Sequence, residues 1–497
     1  MTKRRIIYND DGAAEKPSHN PEATAEGFLD AYFNPALGTQ VDTWFYNSAH
    51  TWLNEDRTML DDRVRQTAGV FGDANEIILE AARKADMEIF GSLRMNDIHC
   101  AFCGIEEKFK LQNPDLLIGG EHWPDKYPHL LESDELDSRC RYPEHALVGY
   151  FCAAYDFARE EVRQYRLDFI RQYCSKYDWD GLELDFVRHP LVFKPGEEEE
   201  NLDTMTDFVR QVRATLNKIG SERGRPYLLA VRVPPTPATA LRTGFDVERW
   251  LDDSLIDLLI AASEWSWYYS SELKEFVDMG HRCGVPVYLN CPHPHDPAKH
   301  YKFGDEMHGP LLRAICSNFW ALGADGVYLF NYPYPNDADE TKVSGWLQDI
   351  GDPETLLGLD KLYLPDKGGG DSTWGPEAGG YLMGPDPFPL HIVHGPTVKI
   401  LVGDDVEKAA SNGLLKEILL QVDVENMHAV EGLNIRINGD RLPAESIERA
   451  AENCFEARLQ TPPIKRGINE IDILPGYNSI GRLVSTVTNV KIWVRYQ

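Results

Sequence analysis

The sequence predicts an α/β fold, a (β/α)8 barrel of the TIM type, followed by a small all-β sandwich. Three observations carry that prediction. Short apolar runs alternate with charged, helix-like stretches over about the first 350 residues, which requires a parallel sheet with helical crossovers. Eight such runs fit a closed barrel with insertions better than an open doubly wound sheet. The last hundred residues switch to alternating strands with a tight hairpin signal.

The eight runs are Arg5–Asn9, Asp42–Asn47, Glu88–Arg94, Gly181–Asp185, Tyr227–Val233, Ile256–Ala262, Val285–Asn290 and Gly326–Asn331. Most are apolar enough for strands buried on both faces. Phe157–Tyr177, Leu202–Ile219 and Gly309–Leu322 carry spaced apolar residues with charges between them, the helical pattern. A long insertion, Asn96–Glu144, follows the third run; it is rich in His, Pro, Trp and acids, including Glu121-His122-Trp123-Pro124. Loops after barrel strands build the active site, so it reads as a lid or cleft wall. The character changes near Asp352, and Asp366–Pro389 is full of Gly and Pro. The expected division is a barrel over residues 1–350, a linker or wrap over 351–392 and a β-sandwich over 393–497. Sandwich strands are predicted at Val398–Val402, Ile418–Val424, Leu433–Ile437, Ile468–Leu474 and Val490–Tyr496, with Asn438-Gly439 as a two-residue turn.

Composition narrows the partners. A net charge of −30 repels phosphate backbones and argues against nucleic acid. No apolar run reaches the ~18 residues of a membrane span, and the chain enters a strand directly after Met-Thr-Lys-Arg-Arg without a signal peptide, so a cytoplasmic location is expected. Nine scattered cysteines fit free thiols in a reducing compartment. Eleven Trp and twenty-two Tyr offer flat surface for stacking on rings. No cofactor is expected; a homo-oligomer is compatible with the sequence.

Strand parity sorts the candidate chemistry. On the fourth strand Leu182 and Leu184 face the helices, while Glu183 and Asp185 face the barrel interior, with Asp185 nearer the mouth. Ser92 and Arg94 share parity on strand three, and Ala230 and Arg232 on strand five, so an arginine flanks the acids on each side. Positive charge keeps a carboxylate ionised, which suits Asp185 as nucleophile or stabiliser and makes it a poor proton donor. The donor must come from elsewhere. Glu264, where strand six meets its loop beside Trp265 and Trp267, is the candidate, because burial against indole raises a carboxyl pKa. Glu183, Arg94 and Arg232 form an expected electrostatic layer beneath. Strand seven ends in Asn290 with no carboxylate.

Polar residues crowd the other strand ends: Asn9 and Asp10 after strand one, Asn47 and His50 after two, Asn96 after three, Arg188 and His189 after four, His293 after seven, Asn331 and Tyr332 after eight. Many neutral hydrogen-bonders mixed with aromatic rings suit a polyhydroxylated ligand. His99, Cys100, Cys103, His293 and His295 supply the alternative of a metal-dependent hydrolase, although the lone C-x-x-C lacks a second pair.

The phrase Tyr177-Asp-Trp-Asp180-Gly181-Leu-Glu-Leu-Asp185-Phe-Val-Arg188-His-Pro190 resembles the strand-four signature of the family-10-like glycosyl hydrolases, which read roughly DG-x-x-LD-x-x-R-x-P. Asn9-Asp10-Asp11 and Gly323-Ala-Asp-Gly326-Val-Tyr-Leu-Phe-Asn331 are similar in style. The resemblance covers the barrel and implies action on glycosidic bonds or, at minimum, carbohydrate binding. An Asp on strand four with an acid on strand six also resembles several α-glycosidase barrels in architecture alone. The reading is therefore a glycoside hydrolase with a carbohydrate substrate. A non-catalytic carbohydrate-binding barrel is the first alternative.

Overall fold

A computed structural model describes residues 3–15, 20–48, 57–59, 72–98, 106–120, 153–194, 196–262, 271–291, 307–330, 340–365, 388–427, 433–459, 463–476 and 485–497. Eight parallel strands close into a barrel in chain order: β1 (Ile6–Asp10), β2 (Val41–Tyr46), β3 (Glu88–Arg94), β4 (Gly181–Asp185), β5 (Leu228–Val233), β6 (Leu258–Ala261), β7 (Val287–Cys291) and β8 (Gly326–Phe330), with β8 pairing back onto β1. The principal helices around it are α1 (Ala25–Ala31), α2 (Ala74–Lys84), α3 (Glu160–Lys176), α4 (Leu202–Arg223), α5 (Val247–Asp252), α6 (Lys274–Cys283), α7 (His308–Leu322) and α8 (Glu340–Asp349).

All eight expected strands are present. At two strand starts that differ from the sequence reading, a competing hydrogen bond gives the reason. Ile256 and Asp257 stay outside β6 because the Asp257 carboxylate takes the Leu229 N–H and the Arg213 guanidinium. Val285 belongs to the end of α6: Gly284 adopts φ 75°, and the Val285 N–H returns to the Gly280 carbonyl. A glycine at that left-handed position closes the helix without a Cβ penalty and aims the chain into β7. Two-stranded pairing of Arg57–Met59 with Glu106–Glu107 links the loops after β2 and β3, so part of the long insertion forms a ribbon beside the mouth.

Alternation holds along the barrel wall. Leu182 and Leu184 join the helix-facing core, whereas Ile7, Phe45, Phe90, Ala230, Ile260, Tyr288 and Tyr328 fill the interior. Phe45 stacks on Phe90 with centroids 4.5 Å apart and meets Tyr328 edge-on at 5.8 Å. This aromatic plug is the floor on which the polar residues of the upper interior rest.

The tail is all-β. One sheet runs β9 (Lys361–Tyr363), β18 (Thr486–Tyr496), β12 (Leu415–Glu425), β16 (Cys454–Leu459), β15 (Ile447–Ala451), with β10 (Leu390–His391) also on β18. The other runs β11 (Thr397–Val402), β17 (Gly467–Pro475), β13 (Leu433–Ile437), β14 (Asp440–Arg441). Ile400, Ile418, Leu420, Ile435, Phe455, Ile471 and Ile492 are among the buried residues that fill the space between them. Asn438 and Gly439, at φ 53° and 92°, make the expected hairpin turn between β13 and β14. β9 and β10 lie inside the stretch read as a linker, yet both pair in the sheet.

Sandwich and barrel meet at α7. Ser317 donates to Asp404 at 2.7 Å, Lys361 reaches the same carboxylate at 3.0 Å, and Gly403 passes directly over the helix backbone. A Cβ on Gly403 would sit 2.4 Å from the Ser317 carbonyl. Gly403→Val should therefore destabilise the fold by about 3 kcal/mol, because neither backbone can move aside. Calorimetry should show a lowered and broadened transition, as the two cores lose their shared contact.

Candidate active site at the barrel mouth

β4 lies between β3 and β5 in a register that sets Ser92, Glu183 and Ala230 in one row and Arg94, Asp185 and Arg232 in the next. The expected placement of an arginine on each side of Asp185 is thus met at backbone level, but the two side chains behave differently. Arg232, fully buried, donates to Asp185 Oδ1 at 2.9 Å. Its guanidinium lies 4.0 Å from the centre of the Phe330 ring and 5.8 Å from that of Tyr328. Arg94 pairs with Asp11 and, at 3.5 Å, with Asp97.

Asp185 is held on one edge. Beyond Arg232, its Oδ1 accepts the backbone N–H groups of Val187 at 3.0 Å and Arg188 at 3.1 Å, from the turn that leaves the strand. Its Oδ2 is buried and has no hydrogen-bond partner among the described residues. An orphaned carboxylate oxygen in a buried site is costly unless a ligand or water meets it.

Glu183 differs from the expected charged layer. It is fully buried, and its donors are neutral: Ser92 Oγ at 2.5 Å and Asn9 Nδ2 at 3.3 Å on Oε2, and the Tyr328 hydroxyl at 2.8 Å on Oε1. Tyr328 stands on β8, four strands away, so the carboxyl spans the barrel. Burial, and then the charge of Asp185, push its pKa up to about 8. At neutral pH Glu183 therefore holds its proton, a neutral acid beside an ion pair.

The sign of the resulting pH dependence follows. The unfolded carboxyl titrates near 4.5 and the folded one near 8. Its contribution to stability is complete below the lower value and is lost as pH rises towards the upper, at up to about 1.4 kcal/mol per pH unit. Glu183→Gln should remove this slope, so urea titrations should show it gaining on the wild type between pH 5 and pH 8.

The other expected site residues fall into three groups. Asn9 faces the interior, bound to Ser92 and Glu183, with its buried Oδ1 unmatched among the described residues. Asn290 lies in register with Tyr328 and is buried, and Arg188 is half-buried just beyond Asp185.

A second group is engaged within the fold. Asn96 binds the carbonyls of Tyr155 and Leu191 and the Tyr155 N–H, and His189 Nδ1 meets the Asn96 carbonyl at 2.9 Å. Asp10 shares parity and register with Tyr46 on the helix-facing side, accepts the Gly12 N–H, and is pushed up to about 7 by burial. Asn47 donates its backbone N–H to the Asp10 carbonyl.

The third group, His50, Glu264, Trp265, Trp267, His293, Asn331 and Tyr332, lies outside the described residues, as do His99, Cys100, Cys103 and His295.

Sequence reasoning missed Tyr328, Phe330 and Glu15. Parity along Gly326–Phe330 would have sent both rings inward. Glu15, buried beneath the hydroxyls of Tyr46 and Ser48, gave no local signal. Among the described residues no cluster of three or more His, Cys, Asp or Glu is arranged to hold a metal ion, and no helix is long and apolar enough to cross a membrane.

The chain matches no protein-family model and no curated protein. It is similar to solved structures. These include an Anoxybacillus α-amylase (12% identity, 96% of this chain and 99% of that one, TM-score 0.38) and a family GH18 chitinase from Chromobacterium violaceum (12%, 99% and 92%, 0.37). A third is the GH36 α-galactosidase AgaA from Geobacillus stearothermophilus (9%, 95% and 56%, 0.38). At such identities and TM-scores the likeness carries no argument, and the reading of the site rests on its own residues.

Proposed function

We propose that this protein is a glycoside hydrolase in which Asp185 acts on the anomeric carbon, as nucleophile or charge stabiliser, and Glu264 protonates the leaving oxygen. The observation that carries the reading is the asymmetry of Asp185: one oxygen is fixed by Arg232 and two N–H groups, and the other is buried and unmatched. A carboxylate clamped on one edge and unmatched on the other is preorganised to meet developing positive charge. Glu183, kept neutral beneath it, adds no second negative charge that would weaken the pair. The expected substrate is an oligosaccharide or simple glycoside; the −30 charge disfavours polyanions.

The test uses aryl glycosides of graded leaving-group acidity. Glu264→Gln should lose roughly 10²–10⁴-fold on substrates whose leaving oxygen needs a proton. It should lose little on 2,4-dinitrophenyl glycosides, whose phenolate departs unaided. An equal loss on both would remove Glu264 from the donor role. Sugar binding without cleavage of any substrate would favour a carbohydrate-binding barrel instead.

A further inference from the structure

A cavity of about 410 Å³ opens where the C-terminal part of α7, the turn at 353–358 and the sandwich meet. Barrel helices run against the strands, so the end of α7 lies at the opposite end of the barrel from Asp185. The volume falls within the range of small-molecule sites. Its walls are largely apolar. Leu356 is buried there, while Leu357 and Leu414 stand 73% and 49% exposed. Exposed leucines sharing one concavity, rather than scattered singly, mark a surface that gains from being covered.

The polar groups at this place sort into spent and unspent. Trp320 gives its indole N–H to the Ile350 carbonyl at 2.9 Å, and the Tyr496 hydroxyl is bound to Asp404. Both rings thus present apolar surface. Asp404 is satisfied by Lys361, Ser317 and Tyr496, and Asp405 accepts the Lys408 backbone N–H at the start of its helix. Left over are Lys408 and Arg466, both exposed and without an ion pair among the described residues. Glu354 also borders the opening, in solvent. Uncharged hydrogen-bonders are scarce: Asn412 is present, and Ser317 is already turned to Asp404. A sugar needs many such groups, whereas an apolar body with an anionic head needs walls and a cation.

We propose that this cavity is a second site, which binds a small organic anion of the aryl- or alkylcarboxylate class. The body lies against Trp320, Leu357, Leu414 and Tyr496, and the carboxylate meets Arg466 and Lys408. Because the walls come from both α7 and the sandwich, the ligand ties the two together and raises the stability of their junction.

The experiment is calorimetric titration of the full chain with 3-phenylpropionate, paired with thermal shift, and with 3-phenyl-1-propanol and maltose as comparison ligands. Saturable binding with Kd on the order of 1 mM and a rise in Tm is expected for the carboxylate. The alcohol should bind at least about tenfold more weakly, the loss of one charge-assisted contact. K408Q/R466Q should weaken the carboxylate to the level of the alcohol, and Leu357→Asp should weaken both; these side chains are exposed and their replacement leaves the fold intact. The proposal is overturned if 3-phenylpropionate does not saturate, if the alcohol binds equally well, if K408Q/R466Q binds unchanged, or if maltose competes.

Discussion

Asp185→Asn is expected to lower kcat on a cleaved glycoside by roughly 10⁴–10⁶-fold, the scale seen when a nucleophile or its charge is removed from a preorganised site. The amide keeps the shape of the carboxylate and can still accept the Val187 and Arg188 N–H groups through its oxygen. It cannot carry the negative charge that an oxocarbenium-like transition state needs. A second effect travels with the first. Arg232, fully buried, loses the counter-charge that lies 2.9 Å away. A stranded interior guanidinium costs about 3–5 kcal/mol. Activity must therefore be compared at a temperature where circular dichroism shows both proteins folded. Turnover within tenfold of the wild type would remove Asp185 from the chemistry.

Arg232→Met should destabilise the protein by a similar amount, about 3–5 kcal/mol at neutral pH, with Asp185 now the unpaired charge. Methionine fits the slot against Phe330 and Tyr328, so the loss reports the missing charge more than a cavity. The variant combining R232M with D185N buries neither charge. It should unfold at higher urea than either single variant while remaining inactive. That divergence separates the pair's structural part from its chemical one, which single substitutions cannot do.

How much of this was legible in the sequence depends on how local the cause is. Alternation on Gly181–Asp185 was enough to turn Glu183 and Asp185 inward, because period two is a property of the strand itself. The flanking rows with Arg94 and Arg232 followed from the parallel register. The state of Glu183 did not follow: its partners Asn9 and Tyr328 are 174 and 145 residues away and meet it only through closure of the barrel. Arg94 looked equivalent to Arg232 until the loop after β1 placed Asp11 against it. Asn96 and His189 looked like ligand donors, yet loop carbonyls, which no side-chain pattern reveals, take their hydrogen bonds. In the sandwich, β15 was invisible because Ile447–Ala451 is an exposed edge with little apolar alternation.

The place of β18 has a consequence for how the chain is made. Residues 486–496 form an inner strand, hydrogen-bonded to β12 on one side and to β9 and β10 on the other. β9 and β12 thus share a neighbour that emerges from the ribosome after both, more than a hundred residues after β9. Until then the six-stranded sheet has a gap at its middle, and β9 is without its partner. The barrel can close while synthesis continues, but its α7 flank waits uncovered for the sandwich. Long-range pairing of this kind is slow and leaves apolar edges open meanwhile. The nascent chain is accordingly most vulnerable to self-association in the interval between completing β8 and threading β18 into place.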